Sequence, residues 1–205
     1  MGIFVHILSS SYSMADNRKH FSALQIIQHV LREHVRSGDI CIDATAGRGR
    51  DTLFLAELVG ESGHVTAFDI QQEAVDSTRL LLEQNGLLDR TKIILDSHSN
   101  MNAYFTPGTV SCITFNFGWL PKGNHHIFTQ KETSIRAIAQ GLELLKPDGI
   151  MTLILYYGRE TGFEERDALL EYLPTLDSSL YTVVEMPFVN RQNCPPIPIV
   201  IFKGK

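Results

Sequence analysis

The sequence predicts an α/β fold: a mostly parallel seven-stranded sheet with helices on both faces, finished by a C-terminal antiparallel hairpin. Three observations predict it. From Asp39 onward, short β-rich apolar runs alternate with longer segments of helical period, the order that builds a parallel sheet covered on both sides. Most strand-like runs are followed by a helix-like one, so their connections are crossovers. The last two runs, residues 181–186 and 197–202, have only a loop between them and must pair antiparallel.

Taken in order, an opening helix is predicted by Leu24, Ile27, Val30, Leu31 and Val35, apolar positions three and four apart that end at Ser37-Gly38. Strands follow at residues 40–44, 65–69, 92–95, 110–115 and 150–156. The helices between and after them are residues 52–58, 73–85 stopped by Gly86, 131–145 stopped by Pro147, and 163–173 stopped by Pro174. Residues 1–16 read as a weakly patterned tail and 17–205 as one domain.

Composition narrows the function. A formal charge of −5 and a pI near 5.9 argue against a protein that grips nucleic acid through a broad cationic surface, which needs many Lys and Arg on phosphates, although a local basic patch stays open. The three cysteines, Cys41, Cys112 and Cys194, are far apart and form no C-x-x-C pair, so a reduced, cytoplasmic setting is expected. The N-terminal stretch lacks the charges and cleavage site of an export signal. His6 stands where a myristoylation motif wants Ser or Thr, and no apolar run approaches the ~18 residues of a membrane span. No membrane association is expected.

The strongest local signal is Asp43-Ala-Thr-Ala-Gly47-Arg-Gly49-Arg-Asp51-Thr52, which follows a strand and opens a helix. Glycines at 47 and 49 allow a sharp turn and close approach to a ligand. In a dinucleotide binder a third glycine permits close packing beneath the pyrophosphate; Thr52 replaces it here. Asp43 would repel two phosphates but suits the cationic methionyl end of S-adenosylmethionine. Asp69, 22 positions past Gly47, ends the second strand, where a carboxylate can accept hydrogen bonds from both ribose hydroxyls. Asp96-Ser97 ends the third and can face the adenine amino group. Acids after three successive strands converge on one crevice, although singly each reads equally well as a turn former or helix cap.

After the fourth strand comes Phe115-Asn116-Phe117-Gly118-Trp119-Leu120-Pro121. It is similar to the N-P-P-[YF] motif of amino-methylating enzymes, in which an amide oxygen and a backbone carbonyl hold an amine and an aromatic ring confines it. Asn116 supplies the amide. Methyl transfer to nitrogen needs a neutral lone pair in line with the methyl, so positioning and desolvation can supply much of the acceleration. The plainer reading is a strand end and turn, with Trp119 in the core.

At this point the sequence resembles the MnmM-type (YtqB-like) class I methyltransferases, formerly grouped as rRNA methylases, from about Phe21 to Lys203. The resemblance is carried by the Asp43 to Ala56 segment, Ala67-Phe-Asp-Ile-Gln71, Asp96-Ser-His98, Asn116-Phe-Gly-Trp-Leu-Pro121, Leu144-Leu-Lys-Pro-Asp-Gly149 and Asn190-Arg-Gln-Asn-Cys-Pro-Pro196. It implies a Rossmann-like fold, S-adenosyl-L-methionine as cofactor, and the tRNA anticodon loop as partner. The implied reaction methylates the aminomethyl group of 5-aminomethyl-2-thiouridine at the wobble position. Single-stranded loops are read by stacking splayed bases, a use for Trp119 and Tyr156. Two departures stand out: Gly47-Arg48-Gly49-Arg50 replaces the family's Gly-Asn-Gly loop, and Tyr157-Gly158-Arg159 replaces a Pro-Gly-His.

The residues expected to meet the cofactor are Asp43, Ala44, Thr45, Gly47, Gly49, Asp51 and Thr52 after the first strand; Asp69, Ile70 and Gln71 after the second; Asp96, Ser97 and His98 after the third; and Asn116 after the fourth. Asn116, Gly118 and Trp119 are the expected catalytic residues. Leu120, Pro121, Tyr156, Arg159, Asn190 and Asn193 are expected to line the acceptor. Arg48, Arg50, Lys122, Lys131, Arg159 and Arg191 form either a local phosphate-binding patch or scattered solvated charges. His125-His126 reads as a solvated loop, and no metal is expected. The prolines of the 190–196 segment stiffen a loop that suits a substrate wall, a protected hairpin edge or a homodimer contact. Other readings stay open: another RNA or a small-molecule amine as acceptor, a nicotinamide-dependent oxidoreductase, or a binding module without catalysis.

Overall fold

The structure is a computed structural model that describes residues 21–118, 129–158 and 160–205. Helix α1, Ala23–His34, opens on Ser22, whose hydroxyl accepts the Gln25 N–H while the Gln25 side chain accepts the Ser22 N–H. This reciprocal cap satisfies two donors that a helix start otherwise leaves bare. Strand β1 (Ile40–Asp43), helix α2 (Arg50–Val59), strand β2 (His64–Asp69), helix α3 (Gln72–Gln84) and strand β3 (Thr91–Leu95) follow. Then come β4 (Val110–Phe117), α4 (Lys131–Leu144), β5 (Leu145–Leu155), α5 (Glu160–Tyr172), β6 (Tyr181–Glu185) and β7 (Ile197–Lys203).

The seven strands are ordered β3-β2-β1-β4-β5-β7-β6. All pairs from β3 to β5 are parallel, whereas β7 lies antiparallel between β5 and β6. Alternate residues of each central strand feed two cores. Cys41, Val65, Cys112 and Ile154 meet α1, α2 and α3, and Ile42, Phe68, Ile113, Phe115 and Leu153 meet α4 and α5. Each fully buried Leu, Ile or Phe contributes about 1.5–3 kcal/mol. Because the chain runs outward from β1 to β3 and then crosses to β4, the carboxyl ends of β1 and β4 bound the topological switch point, where open α/β sheets take ligands.

Two boundaries differ from the sequence expectation in ways that matter. β4 continues to Phe117, because Asn116 and Phe117 still pair with Ile154 and Leu155; Asn116 therefore stands on the sheet instead of in a turn. Helix α4 is not stopped by Pro147. It ends at Leu144 because Leu145 turns extended and pairs with Val110, and Pro147 falls within the irregularity between that pair and Cys112↔Ile150.

Candidate active site

The turn after β1 is held by carboxylates. One oxygen of Asp43, which is fully buried, accepts the Thr45 N–H at 3.2 Å and the other accepts the Thr52 hydroxyl at 2.6 Å. The position a dinucleotide binder gives to glycine is thus a buried brace for Asp43. Asp69 accepts the Gly47 N–H and the Gln71 N–H, each at 2.9 Å, so it links the first and second strand ends. Ala44 and Ala46 tie the same turn to β4 and β2 through N–H bonds to the carbonyls of Thr114 and Phe68, each at 2.9 Å. Gly49 takes φ +77° at the start of α2, and a Cβ there would lie 2.9 Å from the Thr78 backbone on α3. Any side chain would therefore meet both backbone strain and a clash.

The electrostatics follow from that geometry. Burial, then the charge of Asp51 and more weakly that of Asp69, push the Asp43 carboxyl up to about 7. Burial also raises Asp51 and Asp69, against the hydrogen bonds and, for Asp51, the nearby Arg50 charge that favour their ionised forms. Arg48 turns to Glu73 at 2.7 Å. A crevice that gathers three acids at the expense of their own ionisation fits a ligand bearing positive charge, and disfavours a pyrophosphate.

The end of β4 adjoins it. The Thr45 hydroxyl accepts the Asn116 N–H at 2.7 Å, and Asn116 donates its amide N–H to Asp51 at 2.6 Å. That charge-assisted bond sets which way the amide faces: one of its N–H groups is given to Asp51, and among the described residues Oδ1 has no donor. The backbone carbonyl of Phe117 is taken by the Tyr156 N–H at 2.9 Å, that of Gly118 by the Thr129 N–H at 3.0 Å. Gly118 has φ +149°, and a Cβ on it would sit 3.0 Å from Tyr156 Cβ. Tyr156, 37% exposed, thus packs beside the site; burial and the Asp51 charge raise its phenol. Between α1 and the sheet, a cleft is lined by Leu24, Gln28, Asp51, Asn116 and Ile154.

A model of the rRNA methylase family, described as "Putative rRNA methylase", matches residues 65–202. The chain belongs to that family. It is 34% identical over 189 residues to the "tRNA (mnm(5)s(2)U34)-methyltransferase, chloroplastic" of Arabidopsis thaliana, covering 87% of this chain and 68% of the relative. Among solved structures, a Clostridium thermocellum protein given the same description as the family superimposes with a TM-score of 0.88 at 42% identity, over 90% of this chain and 98% of that one. A Streptococcus mutans "putative methyltransferase" solved in complex with SAH gives a TM-score of 0.81 at 34% identity, over 90% and 99%. The Rossmann-like methyltransferase fold expected from the sequence is the one this family member has.

The remaining expected site residues fall into two sets. Asp96 accepts from the Ser97 N–H, the Asn100 amide and the Tyr104 hydroxyl, and these bonds lower its carboxyl. Ser97 caps the short turn that follows, and Ile70 is exposed. His98 lies edge-on to Phe115 and Phe117. Burial pushes its imidazole down to about 4, so it is neutral, and its buried Nε2 has no partner among the described residues. Asn190 and Asn193 are exposed in the hairpin loop. Asn193 and Cys194 both have positive φ, and Cys194 lies against Gly158, which brings the loop to the end of β5.

Trp119, Leu120, Pro121, Lys122, His125, His126 and Arg159 lie outside the described residues, as does the 1–16 tail. Among the described residues, no three His, Cys, Asp or Glu side chains converge as a metal site requires, and no helix is long and apolar enough to cross a membrane. Sequence reading missed Thr78, behind Gly49, and the buried Glu165 of α5, bonded to the Ser134 and Thr129 hydroxyls. Neither carries a sequence signal, because Thr and Glu within helices are ordinarily solvent-facing.

Proposed function

We propose that the protein is an S-adenosylmethionine-dependent N-methyltransferase that methylates the aminomethyl nitrogen of 5-aminomethyl-2-thiouridine at the wobble position of tRNA, giving the 5-methylaminomethyl form. The observation that carries it is Asn116, held on the end of β4 with its amide nitrogen given to Asp51 and Oδ1 left to accept from an amine. The name of the Arabidopsis relative supports the choice of tRNA, and the SAH complex of the Streptococcus mutans relative supports the cofactor.

In this reading Asp69, which accepts the Gly47 and Gln71 amides, also takes the ribose hydroxyls, and the Asp43, Asp51 and Asp69 group favours the donor's positive end; the raised Asp43 carboxyl supports it. When bound, S-adenosylmethionine supplies a methyl group on a sulfonium. Asn116 Oδ1 accepts an N–H of the amine and directs its lone pair inward, while the Tyr156 ring beside Gly118 limits where the amine can sit. The nitrogen lone pair then bonds to the methyl carbon as the methyl–sulfur bond breaks; that electron pair stays on sulfur, and the new secondary ammonium releases its proton to water. Alignment and exclusion of water are the contributions asked of the protein.

The same proposal treats residues 17–205 as one catalytic domain, the anticodon loop as the docking partner and the cytoplasm as the location, the last supported by the free thiols of Cys41, Cys112 and Cys194. Mass spectrometry of tRNA nucleosides from cells with and without the gene tests it. Loss of the methylaminomethyl nucleoside with gain of its aminomethyl precursor is expected; identical nucleoside profiles overturn it.

A further inference from the structure

Glu165 is an acid that the reaction above does not use, yet it is 5% exposed in the middle of α5. Among the described residues its partners are two hydroxyls: Ser134 of α4 donates to one oxygen at 2.5 Å, and Thr129 donates to the other at 2.7 Å. Ser134 alone would join the two helices. The second oxygen reaches beyond them, to a residue that belongs to neither helix.

Thr129 meets Gly118 through two hydrogen bonds and one longer contact. Its N–H donates to the Gly118 carbonyl at 3.0 Å, its hydroxyl oxygen accepts the Gly118 N–H at 2.8 Å, and that hydroxyl also lies 3.4 Å from the Gly118 carbonyl. A hydroxyl has one proton and an ionised carboxylate only accepts. With Glu165 ionised, the Thr129 proton is committed to the carboxylate, and its lone pair is left facing Gly118 N–H. With a neutral donor in place of Glu165, the Thr129 proton is released to turn toward the Gly118 carbonyl, and the hydroxyl's lone pairs turn with it, which weakens the bond to the Gly118 N–H. The Thr129 tie acts where the sheet stops: Phe117 is the last residue of β4 paired with β5, and Gly118, at φ +149°, lies beyond that ladder.

We propose that Glu165 is a positioning residue for the methyl transfer, acting through the Thr129 hydroxyl to fix the Gly118 peptide that follows Asn116 and borders Tyr156. This rests on the reading of Asn116 and Tyr156 as the amine site. Glu165 touches no substrate; its effect is to hold the chain at the end of β4 in the one orientation that keeps Asn116 and Tyr156 in register.

The test uses the full-length protein and the variants Glu165→Gln, Thr129→Val and Thr129→Ser, with three readouts. The first is the Gly118 amide resonance of the nitrogen-15-labelled protein, which needs no turnover; it should shift in Glu165→Gln and Thr129→Val, and return toward its original position in Thr129→Ser. The second is transfer to tRNA bearing the aminomethyl nucleoside: kcat should fall by about tenfold or more in the first two variants, recover in Thr129→Ser, and leave KM within about twofold. The third is SAH affinity by calorimetry, expected to be unchanged, which separates positioning from general loss of structure. An unmoved Gly118 resonance in Glu165→Gln overturns the tie itself. A moved resonance with undiminished kcat overturns the positioning role. Absence of transfer by the unmodified protein, with the resonance still shifting in the variants, refutes the reaction instead and removes the positioning role with it.

Discussion

Replacing Asn116 with Ala probes the proposed acceptor site at its centre. Among the described residues the side chain makes one bond, Nδ2–H to Asp51 at 2.6 Å, and the proposal gives Oδ1 to the amine. Truncation deletes the proposed bond to the amine, which gains positive charge as the methyl transfers, and a hydrogen bond to a charged group is worth about 1.5–3 kcal/mol. At ~1.4 kcal/mol per factor of ten, turnover should fall roughly 10- to 100-fold. The backbone N–H of residue 116 still reaches the Thr45 hydroxyl, so the cofactor turn is preserved and SAH affinity should stay within about twofold. Asp51 loses the bond that opposes its desolvation, which raises its carboxyl further and lowers the unfolding free energy by about 1–3 kcal/mol. Asp51→Asn is the companion: it keeps the shape but removes the charge that selects the amide's facing, and should give an intermediate loss. Single-turnover transfer with labelled cofactor, calorimetric titration with SAH and denaturant unfolding read the three quantities. Full turnover in Asn116→Ala would refute the assignment, whatever happens to stability.

Two more predictions concern the cofactor crevice. Gly49→Ala forces a Cβ to within 2.9 Å of the Thr78 backbone at φ +77°; it should cost on the order of 1–3 kcal/mol of stability and weaken SAH binding, and wild-type values for both by thermal unfolding and calorimetry would show that the turn has room to spare. Affinity for S-adenosylmethionine relative to SAH should fall as pH drops through about 7. Asp43 is raised to about 7 by burial and by Asp51; a cation favours its ionised form, so below that pH binding must expel a proton, weakening the cationic donor by up to about tenfold per pH unit. A ratio of affinities flat from pH 6 to 8 contradicts this.

Most of the fold was legible because helical and strand periods differ sharply along this chain, and a buried parallel sheet makes near-continuous runs of apolar and small residues such as 110–115 and 150–156, broken only by Ser111, Thr114 and Thr152. What was not legible came from pairing partners distant in sequence. Asn116 and Phe117 read as the start of a turn, yet Ile154 and Leu155 keep them in the ladder. Pro147 read as a helix stop, although the pairing of Leu145 with Val110 had already ended the helix. In the candidate site, the motif Asp43 to Thr52 located the turn, but not that Thr52 fastens to Asp43 or that Asp51 reaches across to Asn116, since both are side-chain contacts decided by the folded backbone. Glu165 was illegible for the same reason: nothing in an amphipathic helical pattern marks one of its acids as buried.

The most direct measurement is transfer itself: purified protein, S-adenosylmethionine labelled on the methyl group, and tRNA carrying 5-aminomethyl-2-thiouridine, followed by digestion and mass spectrometry of the nucleosides. Label recovered in the 5-methylaminomethyl nucleoside, and absent when the tRNA lacks the aminomethyl group, is the predicted result. Label recovered at any other position of the RNA, or on none, would contradict the account.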